Sequence, residues 1–377
     1  MGTTARITSV AGVALTAGAL LAGPASAAPA HHDRSVGSVF VQTDNTAGNA
    51  IVAYDRSSDG RLRQAGTYLT GGLGGILGGS VADHLASQGS LTYDRTHKLL
   101  YAVNAGSDTI TVFQVHGDRL TRRQVISSGG TFPVSVATIG NTVYVLNARD
   151  GGSVQGFRRV GHTLVRIPAW HRKLGLDPTL TPEFTHSPAQ VAFTPDGRKL
   201  LVTTMGNGSN IDIFDVHPDG GISTQPVVNH QPDKAPFAVA FDSRGHLLVA
   251  EAGPNAVASY TINRDNTLKP LDEQATGQAA TCWIVITGDK AYTSNAGSGS
   301  LSGYRVGAKG SLTALGNTTT NPGTVDAAVS PDGHFLYVQT GVNGTVDAFR
   351  INPDGSLTAT GSTTVPNAVG GEGIVVS

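Results

Sequence analysis

The sequence contains little sulfur, little charge and no long apolar run. Its one cysteine, Cys282, excludes an internal disulfide, and we interpret it as a buried thiol. Charged residues make up 14%, well below the usual quarter, and 26 basic against 27 acidic residues leave a net charge of −1. This balance argues against a nucleic-acid partner. No segment approaches the roughly 18 consecutive apolar residues of a membrane span, so no membrane insertion is expected.

The N-terminus has the composition of a secretory signal peptide. Arg6 precedes an apolar stretch from Val10 to Ala22, and Ala25-Ser26-Ala27 forms a small-residue cleavage site. The sequence therefore predicts a signal peptide over residues 1–27, a flexible mature N-terminus over 28–38, and an exported protein. The absence of an Arg-Arg pair favours the general secretion route.

What the sequence has in abundance is glycine and a repeated pattern. Glycine accounts for 49 residues, about 13% against an average near 7%. One unit recurs seven times: an apolar strand, a Gly/Asn-rich turn, an alternating strand, a second turn and a weaker strand. Examples are "LYAVNAGSDTITVFQVHGDRL" from Leu100 and "LYVQTGVNGTVDAFRINPDGSL" from Leu336. Most copies follow a further strand, such as "PAQVAFTPDG", so the unit has four antiparallel strands.

The spacing of the repeats predicts a β-propeller. Equivalent positions recur every 43 to 61 residues, at Phe40, Tyr101, Tyr144, Leu201, Leu248, Tyr292 and Tyr337. A four-stranded sheet at this period is typical of a propeller blade. The fold class is therefore all-β: a monomeric seven-bladed β-propeller over residues 39–377. Two long intervals indicate insertions, one at residues 69–90 and one at residues 165–185.

The two ends of the repeat region predict how the ring closes. The first copy begins at its second strand, whereas the C-terminal "GGEGIVVS" resembles a first strand with nothing after it. We expect the last strand to complete the first blade, which removes two open sheet edges. The recurring Pro-Asp-Gly turns could suggest calcium ligands, but each aspartate is alone in its turn. We interpret them as hairpin turns.

The strands "YAVN", "YVLN" and "YTSN", with "TPDGRKLLV" and "SPDGHFLYV", resemble the lactonase-type seven-bladed propellers. That group includes 6-phosphogluconolactonases, carboxymuconate cyclases and YVTN-repeat proteins. The resemblance implies a Pro-His pair in the first strand of one blade and a Pro-Arg-His run in the first strand of the next blade. It also implies a Glu after the second strand of that next blade. Here the pair reads Pro188-Ala189 and the run reads Pro236-Phe237-Ala238, so the His and Arg are missing. Glu251 occupies the place of the glutamate.

Candidate site residues follow from this comparison and from an alignment of the first strands of the blades, which line the channel mouth. Glu251 is the expected base or orienting group, and His186, three residues before Ala189, is a second catalytic candidate. Gln190, Asp326 and Glu372 are expected to contact a ligand at the mouth, and Glu251 could form an acidic cluster with the two acids. No metal site and no cofactor are expected.

The insertions could contribute a surface of their own. "GGLGGILGG" at residues 71–79 lacks the Gly-Lys-Ser/Thr ending of a phosphate loop and is expected to act as a flexible or lid-like loop. "PAWHRKLG" groups Trp170 with three basic residues, either as a protruding contact surface or as packing over a blade edge.

The sequence leaves two functions open. One is a lactonase-like enzyme, a hydrolase or cycloisomerase, that acts on a small lactone or carboxylate without metal. The other is a non-catalytic propeller that binds a small molecule, a cell-envelope component or a protein. The missing His and Arg favour the second, and the resemblance favours the first.

Overall fold

The computed structural model describes residues 35–377 together with Gly2. Apart from Gly2, the predicted signal peptide and the following residues up to 34 lie outside the described residues. The described chain forms 28 strands in seven four-stranded antiparallel sheets, which confirms the predicted seven-bladed propeller. No helix among the described residues is long and apolar enough to cross a membrane.

The strands follow in chain order, four to a blade, except that blade 1 takes its inner strand from the end of the chain. Blade 1 contains β1 (Gly37–Gln42), β2 (Ala50–Arg56) and β3 (Leu62–Leu69). Blade 2 contains β4 (Leu91–Asp94), β5 (Leu99–Asn104), β6 (Thr109–His116) and β7 (Arg119–Ser127), with a 3₁₀ turn at Ala105–Ser107. Blade 3 contains β8 (Pro133–Ile139), β9 (Thr142–Asn147), β10 (Ser153–Val160) and β11 (Thr163–Lys173), followed by helix α1 (Glu183–His186).

The remaining blades repeat the same order. Blade 4 contains β12 (Gln190–Phe193), β13 (Lys199–Thr203), β14 (Asn210–Asp215) and β15 (Val227–His230). Blade 5 contains β16 (Pro236–Phe241), β17 (Leu247–Glu251), β18 (Ala256–Ile262) and β19 (Leu268–Ala275). Blade 6 contains β20 (Thr281–Thr287), β21 (Lys290–Asn295), β22 (Ser300–Val306) and β23 (Leu312–Thr319). Blade 7 contains β24 (Thr324–Val329), β25 (Phe335–Thr340), β26 (Thr345–Ile351) and β27 (Leu357–Thr364).

The last strand, β28 (Ile374–Val376), is the inner strand of blade 1 and closes the ring. It pairs antiparallel with β1 through Val39↔Val376, Phe40↔Val375 and Val41↔Ile374. The backbone pairing extends to the terminus, where the Ser377 N–H donates to the Ser38 carbonyl at 2.8 Å. The expected completion of the first blade by the C-terminal strand is therefore confirmed.

Tyrosines of the second strands link neighbouring blades. The hydroxyl of Tyr144 donates to the Gly220 carbonyl of the next blade at 3.1 Å, and that of Tyr337 donates to Gly60 of blade 1 at 2.9 Å. Each ring is buried between two sheets, so the hydroxyl needs this partner. The repeated tyrosine therefore serves the contact between blades.

The Asp-Gly turns are hairpin turns, as the sequence predicts. Asp196 accepts hydrogen bonds from the Thr194 hydroxyl at 2.7 Å and from the Arg198 N–H at 3.1 Å. Gly197 has a φ of 70°, in the left-handed region that favours glycine. Each such aspartate is occupied by its own turn, which is the interpretation that the sequence favours.

Candidate functional site

The first insertion closes one end of the central channel. Residues 69–90, here termed the plug, run from the outer strand of blade 1 to the channel axis, where Ser87 and Leu85 have no solvent exposure. The Ser87 hydroxyl donates to the Val134 carbonyl at 2.7 Å, and the Trp283 indole donates to the Ser87 carbonyl at 2.5 Å. The Gln88 N–H donates to Ala189 at 3.1 Å. The sequence predicts an open channel mouth at the start of the first strands, but the plug covers this end of the channel.

The glycine run allows the plug to approach the blades closely. A Cβ on Gly74 would overlap the backbone carbonyl of Asp44, and one on Gly75 would lie 2.8 Å from the backbone nitrogen of Gly106. The second insertion supports the plug from outside. Arg149 forms an ion pair with Glu183 at 2.6 Å, and Glu183 also accepts the Gly78 N–H at 2.7 Å. The glycines thus serve packing.

The Gly74→Ala variant should loosen the plug. The added methyl group would force the plug backbone away from residue 44, at an expected loss of about 1–3 kcal/mol in the free energy of unfolding. We also expect faster thiol labelling of Cys282, which is half-buried near the start of β20. Denaturant unfolding and labelling with an aromatic disulfide measure the two effects. Gly48→Ala is the matched control, because its Cβ meets nothing within 4 Å. Equal behaviour of the two variants would contradict tight seating of the plug.

Trp170, in the second insertion, packs over the blade edge. Its ring is buried and stacks on Tyr144 with a centroid distance of 6.2 Å. The guanidinium of Arg158 lies 5.4 Å from the indole. Of the two interpretations that the sequence leaves open for this residue, the structure shows the packing contact.

The other end of the channel contains a cavity. It has a volume of about 420 Å³ and is lined by the inner strands of five blades and by Gln88 and Gly89 of the plug. At one end lie Gln190 and Asp326, and at the other lie the C-terminal ends of β8 and β12 with the exposed Pro195. The cavity therefore opens on the propeller face opposite the plug, and the plug forms its floor.

Asp326 gives this cavity its chemistry. It is the only titratable residue among the described residues that line the cavity. Burial raises the pKa of Asp326 to about 7, against hydrogen bonds from the backbone N–H groups of Ala327, at 2.9 Å, and Ile374. Near neutral pH this carboxyl group is poised to accept or donate a proton.

Two further side chains shape the polar part of the cavity. The Gln190 amide joins two inner strands, accepting the Val239 N–H at 2.6 Å and donating to the Val239 carbonyl at 3.3 Å. The buried hydroxyl of Thr138 has no hydrogen-bond partner among the described residues. An unpaired buried hydroxyl is costly, so it favours a bound water or a ligand that supplies the missing bond.

Glu372 lies behind the plug, away from the cavity. It has no solvent exposure; its carboxyl group accepts the Ser87 N–H at 3.3 Å and is hydrogen-bonded to the Ser87 hydroxyl. Asp44 accepts the Glu372 N–H at 2.8 Å and the Gln42 amide at 2.6 Å. Asp83 of the plug is also buried, and with Asp326 these residues form the acid cluster, defined as Asp44, Asp83, Asp326 and Glu372.

The acid cluster has no cationic partner. Among the described residues no Lys, Arg or His forms an ion pair with any of its four carboxyl groups. Burial raises the pKa of Asp44 to about 7, and burial followed by the charges of Asp83 and Asp44 raises the pKa of Glu372 well above its usual value. The described chain contains no group of three or more His, Cys, Asp or Glu residues arranged to hold a metal ion.

Glu251 belongs to a different set of contacts. It ends β17 and is buried; it accepts the Tyr260 hydroxyl at 2.8 Å and lies 3.3 Å from the Lys234 ammonium. Lys234 also contacts Glu273 at 2.5 Å. Burial raises the pKa of Glu251, while the Tyr260 hydrogen bond and the Lys234 charge oppose this. The structure thus brings Asp326 and Glu372 together but leaves Glu251 apart, and a catalytic role for Glu251 stays a prediction.

His186 also lies outside the cavity. It ends α1, half-buried, and its Nδ1 lies 2.9 Å from the Pro182 carbonyl and 3.0 Å from the Thr185 hydroxyl. It lines a separate surface pocket of about 50 Å³ with Arg149 and Glu183. A role over the channel stays a prediction for this histidine as well.

Several solved structures are similar to this chain in fold. A candidate 6-phosphogluconolactonase from Bacteroides uniformis is 17% identical with a TM-score of 0.74, covering 91% of this chain and 100% of its own. The periplasmic gluconolactonase of Pseudomonas aeruginosa is 16% identical with a TM-score of 0.72, covering 90% and 98%. The chain has the fold of the lactonase-type propellers. A Lactobacillus plantarum protein of this fold is 19% identical, with a TM-score of 0.72 and coverage of 90% and 98%.

Sequence comparison reaches less far than structure comparison. No protein-family model and no curated protein sequence matches the chain. The likeness to the lactonase-type propellers is therefore one of fold, and it agrees with the resemblance that the strand motifs indicate. What this chain does has to be argued from its own cavity.

Proposed function

We propose that this lactonase-type propeller binds a small uncharged lactone in the central cavity and hydrolyses it with Asp326 as general base. The observation that carries the proposal is a carboxyl group of pKa about 7 at the inner end of an open cavity of about 420 Å³. No Lys or Arg is among the described residues lining the cavity, so a carboxylate or phosphate on the substrate would have no cation to bind. An uncharged ring with hydroxyl groups fits this lining better.

The hydrolytic step balances without a metal. The Asp326 carboxylate takes a proton from a water molecule as the water oxygen bonds to the lactone carbonyl carbon. The ring C–O bond then breaks, and the proton passes to the leaving ring oxygen. One water is consumed, and one hydroxy acid is formed. Because the ionised form of Asp326 is the base, kcat/KM should rise with pH and level off above about pH 7.

Substitution of Asp326 tests the proposal. We expect Asp326→Asn to lower the hydrolysis of glucono-δ-lactone by about 10²-fold or more, followed as acid release above the spontaneous rate. Asp265→Asn is the control, because Asp265 is exposed in a turn and bonded to Thr267. Full activity in Asp326→Asn would refute the assignment. Loss of activity in Glu251→Gln alone would transfer the base to Glu251.

A second candidate function is binding without turnover. It is supported by the Gln190 amide, which already forms hydrogen bonds to the Val239 backbone. The cavity is therefore left with few free donors for an oxyanion. Calorimetric titration with the same lactone distinguishes the two, because heat of binding without acid release favours this candidate. Export of the chain and its monomeric state stay predictions of the sequence.

A further inference from the structure

Positive charge is concentrated in two neighbouring blades. Residues 109–173, from the start of β6 to the end of β11, contain nine Lys and Arg but only Asp118 and Asp150 as acids. The whole chain, in contrast, carries 26 basic and 27 acidic residues. A nearly neutral protein therefore has a local excess of cations, which the overall composition conceals.

Most of these cations have no acidic partner. Within the described chain, Arg149 is the one residue of the nine that pairs with a carboxylate. Arg122 and Arg158 donate to backbone carbonyls, and Arg123 donates to the Gln114 amide. Six of the nine are exposed and are here termed the basic band: Arg119, Arg122, Arg123, Arg158, Arg166 and Lys173.

The basic band spans two neighbouring blades whose outer strands are joined. The Gln124 amide on β7 accepts the Leu164 N–H at 2.7 Å and donates to the Leu164 carbonyl at 3.0 Å, which joins the outer strands of blades 2 and 3. Burial, and then the charges of Lys173, Arg172 and Arg166, lower the pKa of His171. These three cations therefore lie close enough to His171 to disfavour its protonation.

The surface offers charge without stacking. The aromatic residues of this segment are all buried between the sheets, among them Phe113, Phe157 and Trp170. Single-stranded nucleic acids bind to exposed aromatic side chains beside a basic groove, and that platform is missing here. The cations are spread along three strands, β7, β10 and β11, instead of converging on one point, so the surface suits a chain of anions more than a single small anion.

We propose that the basic band binds a phosphodiester polymer without bases, of the kind displayed on a bacterial cell wall. The extracellular source agrees with the secretory signal that the sequence predicts. Contacts of arginine with successive phosphates release counterions, so the affinity should fall steeply with salt. The proposal does not depend on the channel, because the basic band lies on β7, β10 and β11 and shares no residue with the cavity lining.

Two charge-matched variants test this surface. The band variant combines Arg119→Gln, Arg123→Gln and Arg166→Gln; the control combines Arg61→Gln, Arg198→Gln and Arg264→Gln, three exposed cations elsewhere. The probe is purified poly(glycerol phosphate) immobilised on a biosensor at several salt concentrations. We expect the band variant to bind at least about tenfold more weakly, with a shallower salt dependence, and the control to bind like the unmodified protein.

Other outcomes would overturn the proposal. Equal weakening by both variants would show that only net charge matters. No binding of the unmodified protein at 100 mM salt, or tighter binding of duplex DNA than of poly(glycerol phosphate), would exclude a cell-wall polymer as the ligand. Because the band variant leaves Asp326 untouched, lactone hydrolysis measured on the same samples separates this result from that of the proposed function.

Discussion

Deletion of residues 370–377 should lower the melting temperature by about ten degrees or more, or abolish cooperative unfolding. The deletion removes Ile374 and Val376, which are 3% and 1% exposed, and it uncovers Val39 and Val41 on β1. Loss of two buried aliphatic side chains costs on the order of 5 kcal/mol, and the opened sheet edge adds to this loss. Differential scanning calorimetry measures the shift.

A peptide can restore what the deletion removes. Synthetic GGEGIVVS, added in excess to the truncated protein, should raise its melting temperature towards the original value because it can pair with β1 again. A scrambled peptide of the same composition is the control. An unchanged transition in the truncated protein would show that the ring does not depend on its C-terminal strand for stability.

The stability of the protein should fall as pH rises from 5 to 8, the reverse of the usual effect of salt-bridged acids. Asp44 and Asp326 have pKa values of about 7 in the folded protein, against about 4 in an unfolded chain. Below pH 4 both states are protonated. Between pH 4 and 7 only the unfolded state ionises, which favours unfolding by on the order of 4 kcal/mol for each group. Above pH 7 the loss is complete.

Glu372→Gln should flatten this pH dependence and stabilise the protein at pH 8. Glutamine keeps the size of the side chain and can bond Ser87. It also removes a buried carboxyl group whose pKa is raised well above its usual value, so the unfolded state no longer gains free energy by ionising it. Denaturant midpoints at pH 5, 6, 7 and 8 measure the effect. His84 faces the Asp44 carbonyl at 3.4 Å, and burial lowers its pKa, so protonation of this residue in the unfolded state opposes the trend below about pH 6.5.

Asp265→Asn is the control for the pH series. This exposed aspartate has a lowered pKa because it accepts hydrogen bonds from Thr267, and so it titrates below the range tested. Its variant should keep the slope of the unmodified protein between pH 5 and 8. If the unmodified protein instead gains stability across that range, the acid cluster is ionised in the folded state.

The propeller could be predicted from local patterns, and the closed channel could not. Strand alternation, Asp-Gly turns and the unpaired "GGEGIVVS" are short-range signals that specify the blades and their closure. The positions of Ser87 and Gln88 depend on contacts with Val134, Ala189 and Trp283, which are up to 196 residues away. A glycine-rich insertion therefore indicates a loop but not where that loop lies.

The site was predictable in part for the same reason. Asp326 and Glu372 are predictable because Asp326 lies in the first half of an inner strand and Glu372 lies just before one, positions that repeat alignment gives. Asp44 lies in the turn between β1 and β2 and Asp83 lies in the plug, and no spacing distinguishes either residue. Glu251 is predicted from the lactonase resemblance and not from the first strands; it ends a second strand, where it contacts Lys234 and Tyr260.

The plug gives the channel a single aperture. A molecule that reaches Asp326 must arrive and depart through the same opening, on the face of Pro195, because Ser87 and its neighbours fill the other end. Substrate and product cannot then pass one another, so a product that leaves slowly blocks the next arrival. For the proposed lactone hydrolysis, simple competitive product inhibition is the kinetic behaviour expected of such a dead-end channel.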